Sequence, residues 1–193
     1  WPDGALYAPL MRAVIEARAP ILAGNPPRQR LMAVARQGLD AISSDARRRL
    51  LLDREMGAAL DDALLDELEA SHCGLMPKSA FGNMALAQRF RDGFMARVMA
   101  DAAIAGKKSV LVSGNGHVRR DRGVPWYLSR MGDGQTGGDM VVVGHIEVDP
   151  ARRDPVDYAE KAFYDFLVFT PVATRSDPCE KMRARFQKRA KRE

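Results

Sequence analysis

The run Ser109-Val110-Leu111-Val112-Ser113 stops at Gly114-Asn115-Gly116-His117-Val118-Arg119-Arg120-Asp121-Arg122-Gly123-Val124-Pro125, and this junction constrains the fold more than any other stretch. A short β-branched run ended by a Gly-rich turn predicts a buried strand that leads into a loop, and open α/β sheets bind ligands just beyond such strand ends. The glycines permit tight turning and close backbone approach. His117 offers a neutral nitrogen to a metal or a proton, and Arg119 offers a planar fork to an anion. Taken alone, the segment reads equally well as a tight turn capped by His and Arg.

The rest of the chain alternates helix and strand periods. Residues 5–18 predict a helix with Leu6, Leu10, Val14 and Ile15 on one apolar face, followed by a short strand over 20–23 and a helix over 28–37. Two helices are expected between 44 and 70, the second opened by Asp61 and Asp62, whose charges suit a helix N-terminus. Residues 38–80 therefore read as a helical insertion or lid within one domain of 193 residues. A long helix is predicted over 81–105, a short one from Pro125, a loop over 131–138, and strands over 140–148 and 165–170. This pattern predicts an α/β fold: a largely parallel sheet flanked by helices.

Met84, Gln88, Arg91 and Met95 share one face of the long predicted helix. For the two methionines, core packing is the simpler role. Gln88 and Arg91 need polar partners, because an unpaired guanidinium inside a protein is costly. Asp92, Asp121 or an anionic ligand would serve. His72 stands at the end of a predicted helix, where it reads as a C-cap or as a residue of a ligand pocket. Tyr127 reads as an aromatic packed at a helix start.

The net charge of +5 is confined to the C-terminal segment. Residues 180–193 carry seven Lys or Arg against two Glu, and the other 23 basic and 23 acidic residues cancel. A nucleic-acid surface would spread its basic residues over the domain with aromatics among them, so that partner is not expected. Met182, Phe186 and Ala190 recur every fourth residue, which predicts a basic amphipathic helix with a weak attraction to anionic membranes. The two cysteines, Cys73 and Cys179, have neither zinc-site nor covalent-haem spacing and by themselves read as buried thiols.

His72-Cys73-Gly74 with Pro77, Gln88 followed by Arg91-Asp92 and Met95-Ala96, the Gly114–Pro125 segment, and Asp177-Pro178-Cys179-Glu180 occur in a telling order. At these spacings the chain resembles the haem-binding ChaN family of bacterial iron-uptake proteins, from its first residue nearly to its last. Trp1-Pro2-Asp3-Gly4-Ala5-Leu6-Tyr7-Ala8-Pro9 and Ala23-Gly24-Asn25-Pro26-Pro27-Arg28 are similar to internal segments of that family. The resemblance thus implies an N-terminally incomplete domain, whose first strand and first GxxH motif lie upstream.

The same resemblance implies an extracytoplasmic haem-binding protein of iron or haem acquisition, periplasmic or a lipoprotein at the outer membrane, with haem as cofactor. Its partners would be haem and a membrane haem transporter or receptor; a parallel sheet lacking that first strand would expose an edge through which the chain would aggregate or form a homodimer. It also implies a disulfide between Cys73 and Cys179, which an oxidising compartment permits. Haem iron accepts His, Tyr or Met, and its propionates favour Arg. The haem-site candidates are therefore His117, Arg119, Arg91, Gln88, Tyr127, His72, Met84 and Met95, with the axial residue left open.

Gly114-Asn115-Gly116-His117 and Arg91-Asp92-Gly93-Phe94-Met95 are also similar to the GxxH and RDxxM patterns of erythromycin esterases and Tiki metalloproteases. That likeness implies the alternative of a metal-dependent hydrolase with His117 as a metal ligand. Such enzymes use two GxxH histidines, and this chain has only the later one, so a non-enzymatic binding protein is the favoured expectation. A plain interaction module would explain the basic tail but not the Gly, His, Arg and Asp gathered after Ser113.

Overall fold

The computed structural model describes residues 4–104, 108–131, 140–174 and 176–190. In chain order these form α1 (Gly4–Glu16), α2 (Arg28–Gln37), α3 (Ser44–Arg49), α4 (Ala58–Ser71), α5 (Gly82–Ile104), α6 (Val124–Leu128), β1 (Val143–Glu147), β2 (Phe166–Thr170) and α7 (Pro178–Ala190). Short 3-10 turns lead from α2 towards α3 (Gly38–Ala41) and into α5 (Lys78–Phe81).

The long helix α5 is the spine. Ala87 and Phe90 on one side pack with Val34 of α2 and with Ile42, Leu50 and Leu52 of the following turns. Met95, Ala96 and Ala100 pack with Val124, Trp126, Tyr127 and Leu128 of α6. Gly93 lies where these packings meet: a Cβ there would sit 2.6 Å from the carbonyl oxygen of Leu50. Glycine is accepted in mid-helix, despite its propensity cost, because only its bare backbone fits so close. Upstream, the Ser43 hydroxyl accepts the Ala46 N–H and starts α3, as an N-cap should.

The helix α4 ends in a left-handed turn. Cys73 and Gly74 have φ values of 60° and 62°, and their N–H groups donate to the carbonyls of Ala70 and Glu69. Glycine normally fills the first left-handed position of such a cap; here a cysteine does. A disulfide joins Cys73 to Cys179 in the first turn of α7, across 106 residues of sequence.

The parallel sheet is smaller than the sequence pattern predicts. It has two strands, β1 and β2, paired from Val143 with Phe166 to Glu147 with Thr170. Residues 20–23 and 109–113 carry no strand pairing among the described residues. Their side chains explain the difference. Ile21, Leu22, Val110 and Val112 are exposed, and Leu111 packs against the α5–α6 core. Alternating β-branched residues favour an extended backbone, but a ladder also needs a neighbour to take its hydrogen bonds.

Two further expectations are corrected. The apolar stripe of α1 contributes nothing to the core: Leu6, Leu10 and Ile15 are exposed and no residue of that helix is buried. The helix α4 starts at Ala58, ahead of Asp61 and Asp62, with Gly57 before it. The predicted loop over 132–138 lies outside the described residues, as do the ends of two predicted helices, Ala105 and 191–193.

Candidate functional site

A single turn of local structure brings His117 against α5. The 3-10 turn Asn115–His117 follows Gly114, and its histidine meets the face that carries Gln88, Arg91 and Asp92. The Nδ1 of His117 lies 2.5 Å from Oδ1 of Asp92, and its Nε2 lies 3.3 Å from the Arg91 guanidinium. A guanidinium only donates, so Nε2 accepts and the imidazole proton belongs on Nδ1, donated to the Asp92 carboxylate. The Gln88 amide lies 3.2 Å from the same Nδ1.

Asp92 is 3% exposed. Burial pushes its carboxyl up to about 6, against the opposing pull of the His117 hydrogen bond and of the positive charges of Arg91 and Arg122. The pair is thus an imidazole of fixed tautomer held by a carboxylate that burial disfavours.

The turn itself is fixed from two sides. The Asn115 side chain takes the His145 N–H at its oxygen and donates to the His145 carbonyl, so it occupies both backbone groups of that residue in β1. The Tyr164 hydroxyl donates to the Asn115 carbonyl at 3.2 Å. Downstream, Gly123 donates to the Arg119 carbonyl, and a Cβ at 123 would fall 2.3 Å from the His117 carbonyl oxygen. The last glycine of the motif is therefore required by close approach.

The arginines of the motif are shared out among carboxylates. Arg119 grips Asp121 through two nitrogens, at 2.9 and 2.6 Å, and stacks 3.6 Å over the Phe163 ring. Burial raises the Asp121 carboxyl, but the hydrogen bond and charge of Arg119 outweigh it and leave the group below the usual carboxylate range. Arg120 pairs with Asp165, whose other partner is the Val142 N–H. Arg122, 5% exposed, pairs with Glu67 of α4.

Three buried guanidinium nitrogens, Arg91 Nε, Arg97 Nε and Arg122 Nη1, have no hydrogen-bond partner among the described residues. Arg91 and Arg122 both act on Asp92, which places these two arginines at the same centre. Buried unpaired guanidinium nitrogens suit an oxyanion such as a carboxylate, and a histidine nitrogen beside them suits a metal. Haem presents both kinds of group, so this donor set fits it.

The other predicted residues have different surroundings. Tyr127 is fully buried in the α5–α6 core, its hydroxyl accepts from Arg89, and burial raises its pKa to about 12. His72 closes α4, its Nδ1 2.7 Å from the Leu68 carbonyl and its ring 5.0 Å from Phe81. Met95 is a core residue whose sulfur accepts the Ser113 hydroxyl, and Met84 is half-buried. Arg119 has its fork taken by Asp121. Among the described residues, no three His, Cys, Asp or Glu side chains group to hold a metal ion.

A profile of the haem-binding uptake family, described as Tiki superfamily, ChaN, matches residues 1–128. The chain belongs to this family. The match includes α5, the Gly114–Gly123 motif and α6, and it stops before β1, β2 and α7, so Cys179 lies beyond it. No curated protein and no solved structure shows a significant match. Membership carries the haem-uptake character of the family; the residue assignments rest on the geometry above.

Asp92 as the partner of His117, Glu67, and Arg122 with its free nitrogen are the members of the site that sequence reasoning did not assign. For Asp92 a signal existed: it lies four residues after Gln88, on the face already singled out. Glu67 is 55 residues from Arg122 and carried none.

Proposed function

We propose that this protein binds haem through His117 and hands it on in haem or iron acquisition outside the cytoplasm. The observation that carries this reading is the Asp92–His117 pair beside two unpartnered buried guanidinium nitrogens. A carboxylate on Nδ1 orients an imidazole and raises the basicity of its other nitrogen, the usual support for a metal-ligating histidine. When bound, haem supplies an iron for an imidazole nitrogen and two carboxylates for guanidinium donors.

On this reading Nε2 of His117 would hold the iron, and Arg91, which donates to that nitrogen in the structure, would hold a propionate. Arg122 offers its free nitrogen to the same anionic groups, while Arg119 and Glu67 hold the motif in shape. The Cys73–Cys179 disulfide supports an oxidising compartment, periplasmic or at the outer membrane, where a lipoprotein would meet a membrane haem transporter or receptor. The exposed apolar residues of α1 and of the extended segments support a homodimer.

Haemin titration followed by visible absorption tests the assignment. The wild-type chain should shift the Soret band on binding, and His117→Ala should weaken that binding strongly while its unfolding stays cooperative, with a loss of about 1–3 kcal/mol because the buried Asp92 carboxyl is left without its partner. Undiminished haem affinity in His117→Ala would remove the residue from the site. The hydrolase alternative draws on the same carboxylate–imidazole pair, an arrangement that also positions a general base. It would be favoured by esterase turnover that His117→Ala abolishes, with no Soret change in the wild-type chain.

A further inference from the structure

We infer that α7 is a docking surface for an anionic phospholipid bilayer. The helix carries Lys181, Arg183, Arg185, Lys188 and Arg189 against a single acidic residue, Glu180, while the chain before residue 180 is balanced in charge. Its periodicity sets Cys179, Met182 and Phe186 in one stripe, with Arg183 on its flank and Lys181 further round the helix. Basic positions that border an apolar stripe are the pattern of a helix that lies in a membrane interface.

The structure leaves this helix available. It is tied to the body at its first turn by the disulfide. Beyond that turn only Met182 among its described side chains is half-buried; Lys181, Arg183 and Gln187 are exposed, and Phe186 is 40% exposed. None of the ion pairs among the described residues engages Lys181 or Arg183. Their charge is therefore free to act outwards.

Charge alone would also suit a nucleic acid, and the apolar stripe decides between the two. Phosphate backbones reward basic residues but gain nothing from Met182 and Phe186. An acidic bilayer rewards both, the headgroups through Coulomb attraction and the acyl boundary through burial of the phenyl ring. The disulfide then has a further effect: a surface-bound α7 keeps the end of α4, and with it Glu67, at a fixed distance from the lipid.

Co-sedimentation of the intact, oxidised chain with phosphatidylcholine vesicles, with and without phosphatidylglycerol, tests this. The wild-type chain should bind the acidic vesicles and lose them as salt rises, and bind the neutral ones weakly. The triple change Lys181→Glu, Arg183→Glu, Arg185→Glu should lower the partition onto acidic vesicles by more than about tenfold, as reversal of three charges of the helix requires. Phe186→Ser should lower it less, and neither variant should change haemin affinity. Equal binding to both vesicle types, or an unaltered partition in the triple variant, would overturn the proposal. So would wild-type binding confined to duplex DNA, a result that does not depend on whether any variant folds.

Discussion

The two halves of the molecule treat the same kinds of residue in opposite ways. Around α5, Phe90, Val34 and Leu52 are buried, while Val110, Phe166, Val143 and Ile21, no less apolar, remain exposed. The difference follows from where each backbone finds its hydrogen bonds. A helix satisfies its own backbone and needs only a face to pack, so α2, α5 and α6 make a core from three segments. An extended segment needs a neighbour on each side, and the two-stranded ladder of β1 and β2 offers few such places.

The largest expected effect comes from the covalent link between the halves. Replacing Cys73 and Cys179 with serine should cost about 4–5 kcal/mol in the chain-entropy account, because the ring they close spans 106 residues. Urea unfolding measures it, and a loss below about 1 kcal/mol would mean that the unfolded chain is already compact without the bond. Next, Phe90→Ala should destabilise by about 3–5 kcal/mol, the cost of a cavity in a packed core. A small effect in the same unfolding experiment would show that the helical half is as loosely packed as the strands.

The third effect depends on pH. Because burial raises Asp92 to about 6, the folded chain keeps this proton over a range where the unfolded carboxyl has lost it. The resulting stabilisation is present below about pH 4 and is lost as pH rises through about 6, roughly 3 kcal/mol in all. Asp92→Asn should flatten the stability profile between those limits, and an unchanged slope would assign it to other groups. A fourth test concerns ligand affinity. Arg91→Leu should weaken haem binding by about tenfold or more, the worth of a charge-assisted bond, and leave the dimethyl ester of haem nearly unaffected. Equal weakening of both ligands would make Arg91 a support for the fold.

The smallest effect sharpens the contrast most directly. Val110 is 91% exposed, so Val110→Thr should change stability by no more than about 0.5 kcal/mol. A large loss would reveal that this side chain is covered in solution by something the described residues do not supply.

Helices were legible in the sequence because their period is local: the predicted 81–105 helix became Gly82–Ile104, and 28–37 became Arg28–Gln37. Strand pairing depends on residues far away in the chain, so 20–23 and 109–113 looked like strands but carry no strand pairing among the described residues. The site divides along the same line. The shared face of Gln88 and Arg91 was legible from the helix period, and the family resemblance grouped them with His117; their contacts with it span 29 and 26 residues of sequence and depend on tertiary placement. The Arg122–Glu67 pair joins α4 to the motif through tertiary placement, which no spacing encodes. Tyr127 was legible as an aromatic packed at a helix start, and its ring is buried in the α5–α6 core.

The double link from Asn115 to His145 gives the His117 turn a reporter outside the site. Both backbone groups of His145 are engaged by one side chain, so its amide can exchange with solvent only when that link opens. Slowed exchange at His145 on haem addition would register tightening of the turn without any probe placed near the iron. The same amide would exchange freely in Asn115→Ala, a variant that substitutes none of the proposed ligand-binding residues.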